Sequence, residues 1–283
     1  MPLNSTSATS LPPQKLMERC CRTPWVSYLP PFRMAPGVYY VSGNDWVACY
    51  LIDTGAGLIL IDTAMHETCY LMLECIRSLG YDPMDIKKIL LTHAHADHIG
   101  AARTMKELTG ARVYLGERDL FMIHERKDLI CSDGYTCGDI EPDEIYLDDK
   151  PIVQGNVSVR TISTPGHTPG CTSMIFDVKE KDGRIYTCGI HGGGGLNTLS
   201  REFLEQNGLP LSLQKEFCES LRMMDRLHVD ICLPSHTNQV GIIPLIGEIT
   251  DTHNPFVDES IWHELMHERL DRMEALIRSV PLL

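Results

Sequence analysis

Leu91-Thr92-His93-Ala94-His95-Ala96-Asp97-His98 decides how the chain is read. Three histidines and one carboxylate crowd its last six residues. The run ahead of it, Ile86 to Leu91, reads as a covered parallel strand, and Gly100-Ala101-Ala102 behind it reads as the start of a helix. The cluster therefore occupies a turn at the carboxyl end of a strand, where open α/β sheets place their sites. His93 and His95 are separated by one residue, so in extended backbone both imidazoles face the same way and can grip one ion. Asp97 and His98 follow the bend and reach a second position. Neutral imidazole and carboxylate suit zinc and, less specifically, other divalent first-row metals.

The rest of the composition bounds the partners. A net charge of −13 over 283 residues excludes a nucleic-acid backbone as partner and leaves a small molecule as the expected one. No stretch reaches the about 20 apolar residues of a membrane span. Residues 1–13 are rich in Ser, Thr and Pro and lack the basic patch and apolar core of a secretion signal. The 11 cysteines, an odd number without framework spacing, read as free thiols in a reducing compartment, which makes the expected location cytoplasmic. Cys131 and Cys137, flanking Asp133-Gly134, are the one candidate pair.

Outward from the cluster, Val38 to Val41, Val47 to Ile52 and Leu58 to Asp62 read as antiparallel strands. Met72, Cys75, Ile76 and Leu79 have helical spacing within 66–79, with Gly80 as the stop. Ala111 to Leu115 is a short strand and Glu117 to Lys127 a helix. Ile152 to Ile162 alternates like strands. Cys171 to Val178 and Gly183 to Cys188 form a hairpin. A helix over 212–228 leads into a strand, Val229 to Leu233. Residues 14–36, with Trp25, Tyr28 and Pro30-Pro31, are too proline-rich for a helix and are expected to wrap the body as one wall of a cleft. The single domain spans 1–283, with 1–24 as a flexible start and 256–283 as a terminal helix whose apolar stripe can serve a homodimer.

Two further histidines stand on turns of the right kind. Thr164-Pro165-Gly166-His167-Thr168-Pro169-Gly170 is a rigid turn, and His167 is the expected third ligand of the first metal. Pro234-Ser235-His236 ends the last strand, and His236 is the expected remaining ligand of the second. The glycine run after Ile190-His191 allows close approach of backbone to a ligand but lacks the Lys-Ser/Thr of a phosphate loop. Trp25, His191, Gly192 and Asn197 are the candidate substrate contacts. His263-Glu264-Leu265-Met266-His267 matches a zinc-protease pattern, but no third ligand follows, so it reads as a packing helix.

His93-x-His95-x-Asp97-His98, Gly166-His167-Thr168-Pro169-Gly170 and a late His236 resemble the metallo-β-lactamase superfamily. Trp25, Pro31-Phe32-Arg33, Tyr39-Tyr40-Val41 and the histidine at position 98 resemble its third, di-zinc subclass. The same holds for the missing carboxylate in Cys188-Gly189-Ile190-His191, where much of the superfamily has a bridging aspartate. The resemblance implies an α/β fold, the αβ/βα four-layer sandwich. It implies that His93, His95 and His167 hold one Zn2+ and that Asp97, His98 and His236 hold a second, with iron or manganese as the other candidate ions and Cys188 as a minor candidate ligand. The implied activity is a di-zinc hydrolase that attacks a cyclic amide carbonyl with a metal-bound hydroxide oriented by Asp97. A lactonase or other amide or ester hydrolase is the alternative, and an iron-dependent oxidoreductase a further one. That subclass binds the substrate carboxylate with serines near 189–191, where this chain has Gly189 and His191.

Overall fold

The computed structural model describes residues 11–130, 134–147, 149–250 and 252–279. The seven-stranded sheet runs in chain order through β1 (Phe32–Ala35), β2 (Val38–Tyr40), β3 (Tyr50–Asp53), β4 (Leu58–Ile61), β5 (Ile86–Leu90), β6 (Arg112–Leu115) and β7 (Glu144–Ile145). Its first four strands are antiparallel and its last four parallel. The five-stranded sheet has the order β12 (Ile231–Cys232), β11 (Ile185–Ile190), β10 (Thr172–Lys179), β9 (Val157–Ser163), β8 (Ile152–Gln154). Here only the pair β11 and β12 is parallel.

The helices are α1 (Pro13–Arg22), α2 (Cys69–Ser78), α3 (Ala96–Ile99), α4 (Ala102–Thr109), α5 (Leu120–His124), α6 (Arg201–Gln206), α7 (Ser212–Met224), α8 (Ile242–Leu245) and α9 (Glu259–Arg278). Strand alternation sorts the core into layers. In β4, Leu58 and Leu60 face outward to a cluster with Met72, Cys75 and Ile76 of α2, Met105 of α4 and Leu16 of α1. Ile59 and Ile61 face inward and meet Met174 and Phe176 of β10 and Ile190 of β11. On the far side, Ile175 and Cys232 meet Phe217 and Leu221 of α7 and Trp262 and Met266 of α9. Helix, sheet, sheet, helix is the four-layer αβ/βα sandwich. Trp262 is fully buried and its Nε1 donates to the Met224 carbonyl at 2.9 Å, which fastens α9 to α7.

Three expectations need correcting. Residues 14–22 form a helix, because the prolines sit at its edges: Pro13 occupies the first helical turn and Pro24 lies past the end, where neither costs a hydrogen bond. Of the start expected to be flexible, residues 1–10 fall outside the described part of the chain. The strand expected from Val47 begins only at Tyr50, and Val47 instead bridges to His236. The helix expected over 117–127 shrinks to α5, because Gly116 to Asp119 is drawn into the site. The suggested pairing of Cys131 and Cys137 lies outside the described residues. Among the described residues every cysteine is free, and no helix is long and apolar enough to cross a membrane.

Candidate metal centre

The site lies where the ends of β5 and of the five-stranded sheet face one another. His93 and His95 follow β5, and His167 sits on the Pro/Gly turn between β9 and β10. Their nearest ring nitrogens all lie within 4.8 Å of one another, and His95 Nδ1 is 2.9 Å from His167 Nε2. The opposite ring nitrogens are fixed. His93 Nδ1 is 3.0 Å from Thr92 Oγ1, and His167 Nδ1 donates to the Gly195 carbonyl at 2.7 Å. That leaves His93 Nε2 buried with no partner. Burial drives His93 and His95 well below the ordinary imidazole range and His167 down to about 4. Three neutral rings with converging lone pairs repel one another unless a cation lies between them, and this donor set suits a divalent metal ion.

A second triangle stands beside the first. His98 Nε2 is 3.5 Å from Asp97 Oδ2 and 3.3 Å from His236 Nε2, and His236 Nε2 is 3.6 Å from Asp97 Oδ2. Ligands at about 2.0–2.1 Å around a tetrahedral ion are themselves about 3.3 Å apart, so the triangle already has the right size. His93, Asp97 and His98 also cluster, which makes the two triangles neighbours. Burial pushes the Asp97 carboxyl up, but His98, His236 and the other imidazoles hold it below its ordinary value, so it stays ionised. Burial lowers His236 to about 3. Burial acts downward on His98 too, yet Asp97 and Asp62 together lift it above the ordinary value.

A family model described as the metallo-beta-lactamase superfamily matches residues 45–181, which include all of these ligands except His236. The solved structure of BJP-1, a subclass B3 metallo-beta-lactamase of Bradyrhizobium japonicum, superposes with a TM-score of 0.80 at 26% identity, covering 91% of this chain and 97% of that one. The fold is that of the metallo-β-lactamases, and nearly half of the chain matches their superfamily model. Lactamase-like protein nscB of Neosartorya fischeri is 28% identical over 85% of this chain and 62% of its own length. An N-acyl homoserine lactonase of a Bacillus sp. is 27% identical over 49% of this chain and 61% of its own. The alignments thus span about three-fifths of those two relatives.

Two carboxylates outside the histidine motifs hold this centre in place. Asp62 ends β4 with φ at 57°, a left-handed conformation that costs a side-chain-bearing residue about 1–3 kcal/mol. In return its carboxylate accepts from His98 Nδ1 at 2.7 Å, from the Thr92 amide at 2.7 Å and from Thr92 Oγ1 at 2.8 Å. His98 is thereby fixed with Nε2 forward, the usual carboxylate–histidine arrangement behind a metal. Asp119, after β6, is fully buried and accepts from the Ala94 amide at 2.9 Å, Thr168 Oγ1 at 2.7 Å and the Gly170 amide at 2.6 Å. It ties the turn bearing His93 and His95 to the turn bearing His167. Burial raises its carboxyl to about 6 despite those donors. Gly170 is required there, since a Cβ would lie 2.4 Å from the Asp119 amide. His236 is pinned from the other sheet. Val47 bridges to it, Ala48 donates to the Ser235 carbonyl at 2.9 Å, and the Thr237 amide donates to the Trp46 carbonyl at 2.8 Å.

The ligand triangles open into a cleft of about 630 Å³, walled by Pro13, Gln14 and Met17 of α1, Trp46, Asn197, and Leu265, Arg269 and Arg272 of α9. Of the expected substrate contacts, Asn197 lines it. Trp25 does not: it is 66% exposed and lies outside the cleft, where Trp46 instead sits tilted against the His236 ring, centroids 5.1 Å apart. His191 also lies behind the lining, buried, accepting from Arg269 Nη1 at 2.8 Å and edge-on to Phe217. Gly192 packs on β10, where a Cβ would meet the Thr172 carbonyl at 2.4 Å, and it is Gly193 to Gly195 that face the cleft. Cys188 points into the core between the sheets and takes no part. His263 and His267 bond the two oxygens of Asp225, at 2.9 and 3.1 Å, on the outer face of α9.

Proposed function

We propose that this chain is a binuclear zinc hydrolase that opens a cyclic amide, a β-lactam being the model substrate. The observation that carries the reading is the pair of adjacent ligand triangles at the floor of one open cleft. His93, His95 and His167 would hold one ion and Asp97, His98 and His236 the other. Two divalent ions there supply Lewis acidity for the carbonyl and acidify a water toward a pKa of about 7. The chain's own residues do the rest. Asp97 has one oxygen turned to His98 and His236, which leaves the other to accept a hydrogen bond from the attacking water and hold it in line. Held ionised, Asp97 is also the base nearest that water. Thr92, Asp62 and the Gly195 carbonyl keep the imidazole protons on the far side of each ring. Trp46 and Met17 give the approach an apolar lining.

A lactonase is the second reading. It is supported by the similarity to an N-acyl homoserine lactonase and by Gly189 and His191 standing where the resembling subclass has serines. Elemental analysis of the purified protein, followed by assays on a chromogenic cephalosporin and on a panel of lactones, separates the readings. Two zinc ions and cephalosporin turnover support the first, and turnover of lactones alone supports the second. Iron in place of zinc, with neither substrate opened, overturns both.

A further inference from the structure

The zinc-protease spacing of His263 and His267 finds in the fold what it lacks in the sequence. No ligand follows the pair, but Asp225 precedes His263 by 38 residues and is folded back against it. The two histidines stand about one turn apart on α9, so both rings leave the same face of the helix. That face meets the end of α7, and Asp225 lies between the rings. His263 Nδ1 is 2.9 Å from Asp225 Oδ1, and His267 Nε2 is 3.1 Å from Asp225 Oδ2. Donors held at about 2.0–2.1 Å by a tetrahedral ion are about 3.3 Å apart. Both imidazole–carboxylate separations are therefore already close to those around a bound ion. The two histidine side chains are 42% and 63% exposed, which leaves the rings free to turn and close the triangle.

Hydrogen bonding alone does not account for the trio. Helix α9 is already fastened to α7 by Trp262, whose Nε1 donates to the Met224 carbonyl, and by the apolar cluster around it. Asp225 sits at the C-terminal end of α7. The free carbonyls there make the field negative, which disfavours a carboxylate and favours a cation. Among the described residues no Lys or Arg pairs with Asp225: Arg222, one turn back, goes to Glu274 at 2.7 Å. Burial pushes the Asp225 carboxyl up, but the bonds from His263 and His267 hold it below its ordinary value, so it stays ionised at neutral pH. His228, at 3.1 Å from Asp230 and 3.5 Å from Glu259, brings two more carboxylates to this edge of the molecule.

From this arrangement we propose that Asp225, His263 and His267 form a separate site for a divalent first-row metal ion, zinc being the best match, which ties α9 to α7. Two imidazoles and one carboxylate are a donor set that such ions take. None of the three residues lines the cleft, so the site does not rest on the hydrolase reading. Its ion braces the helix that supplies Leu265, Glu268 and Arg272 to the cleft wall.

The test counts zinc on the full chain. Wild-type protein, His267→Ala and Asp225→Asn are stripped with chelator and titrated with zinc by calorimetry, and the bound metal is measured by elemental analysis at the same free zinc. Wild type should hold one equivalent more than either variant, whatever number of ions the floor of the cleft holds. Asp225→Asn keeps an acceptor and a donor for the two rings and loses only the charge, so it decides alone should His267→Ala fail to fold. Free zinc at about 100 times the Kd of a site raises the folding constant by about 100-fold. The zinc-dependent rise in melting temperature should therefore be larger for wild type than for the variants. Equal zinc equivalents in the three proteins overturn the proposal and leave the trio a hydrogen-bonded clamp. That holds even if crystals grown in excess zinc show a peak between the rings, which is then binding at crystal concentration only. An equivalent lost in one variant and kept in the other overturns the three-ligand site.

Discussion

The floor of the cleft and its walls are built in opposite ways. The floor is a set of turns at strand ends, and three of the histidines there are locked from behind by a buried polar group: Asp62 behind His98, Thr92 behind His93, the Gly195 carbonyl behind His167. The walls are two amphipathic helices, α1 and α9, whose inner faces are apolar and whose cleft-lining residues include exposed ones such as Gln14 and Arg272. The difference separates two tasks. Holding ions requires geometry fixed to tenths of an ångström, which buried hydrogen bonds provide. Choosing a substrate requires side chains that can be exchanged without disturbing that geometry.

If the contrast is right, substitutions should fall into ordered classes. Removing a ligand is the most damaging. His95→Ala should lose the first ion and cut kcat/KM by well over the about 10- to 100-fold that a partner behind a ligand is worth, as read by zinc content and initial rates. Next come the groups behind the ligands. Asp62→Asn and Asp119→Asn should weaken zinc binding by about 10- to 100-fold in chelator competition. Each acts on a different triangle: Asp62 on the one containing His98, Asp119 on the one joining His95 to His167. An Asp119 variant that bound both ions normally would show that the link between the two turns is dispensable.

Acid should also strike the floor first. His167 and His236 titrate at about 4 and about 3 in the folded chain, against about 6.5 unfolded. Below about pH 6.5 the unfolded chain therefore binds more protons, so the stability of the metal-free protein falls as pH drops from there toward about 4. His98, shifted upward, acts in the opposite sense and does not outweigh two groups. Melting temperatures of the metal-free protein between pH 7 and pH 4 check this, and saturating zinc should flatten the upper part of the profile. The smallest effects belong to the walls. Gln14→Ala, at the exposed edge of α1, should leave zinc content intact and change KM by less than about threefold, within the ±0.5 kcal/mol of ordinary surface substitutions.

The same contrast governs what could be read without a structure. That these histidines gather at one place is legible because strand-end turns carrying histidine at fixed spacing are a local signal, and β alternation then dictates the layers. Asp62 and Asp119 were not, since a single aspartate after a strand looks like any turn residue until the chain folds it back 36 residues to His98 or 51 residues to Gly170. The walls were misjudged for the same reason. Trp25 was named and Trp46 overlooked, although both lie in aromatic loop sequence, because only the bridge from Val47 to His236 brings one of them to the cleft. His191 was placed in the pocket by its glycine neighbours, whereas its actual partner, Arg269, lies 78 residues away on α9. Helix α1 escaped notice because its flanking prolines concealed a proline-free stretch between them.

The most direct test is anomalous diffraction at the zinc edge from crystals grown with excess zinc. The account predicts two peaks in the floor of the cleft. One should lie about 2.0–2.1 Å from His93 Nε2, His95 Nδ1 and His167 Nε2, and the other at like distances from Asp97, His98 Nε2 and His236 Nε2. A map with no peak among these residues, or with His236 turned away from a single ion, would contradict it.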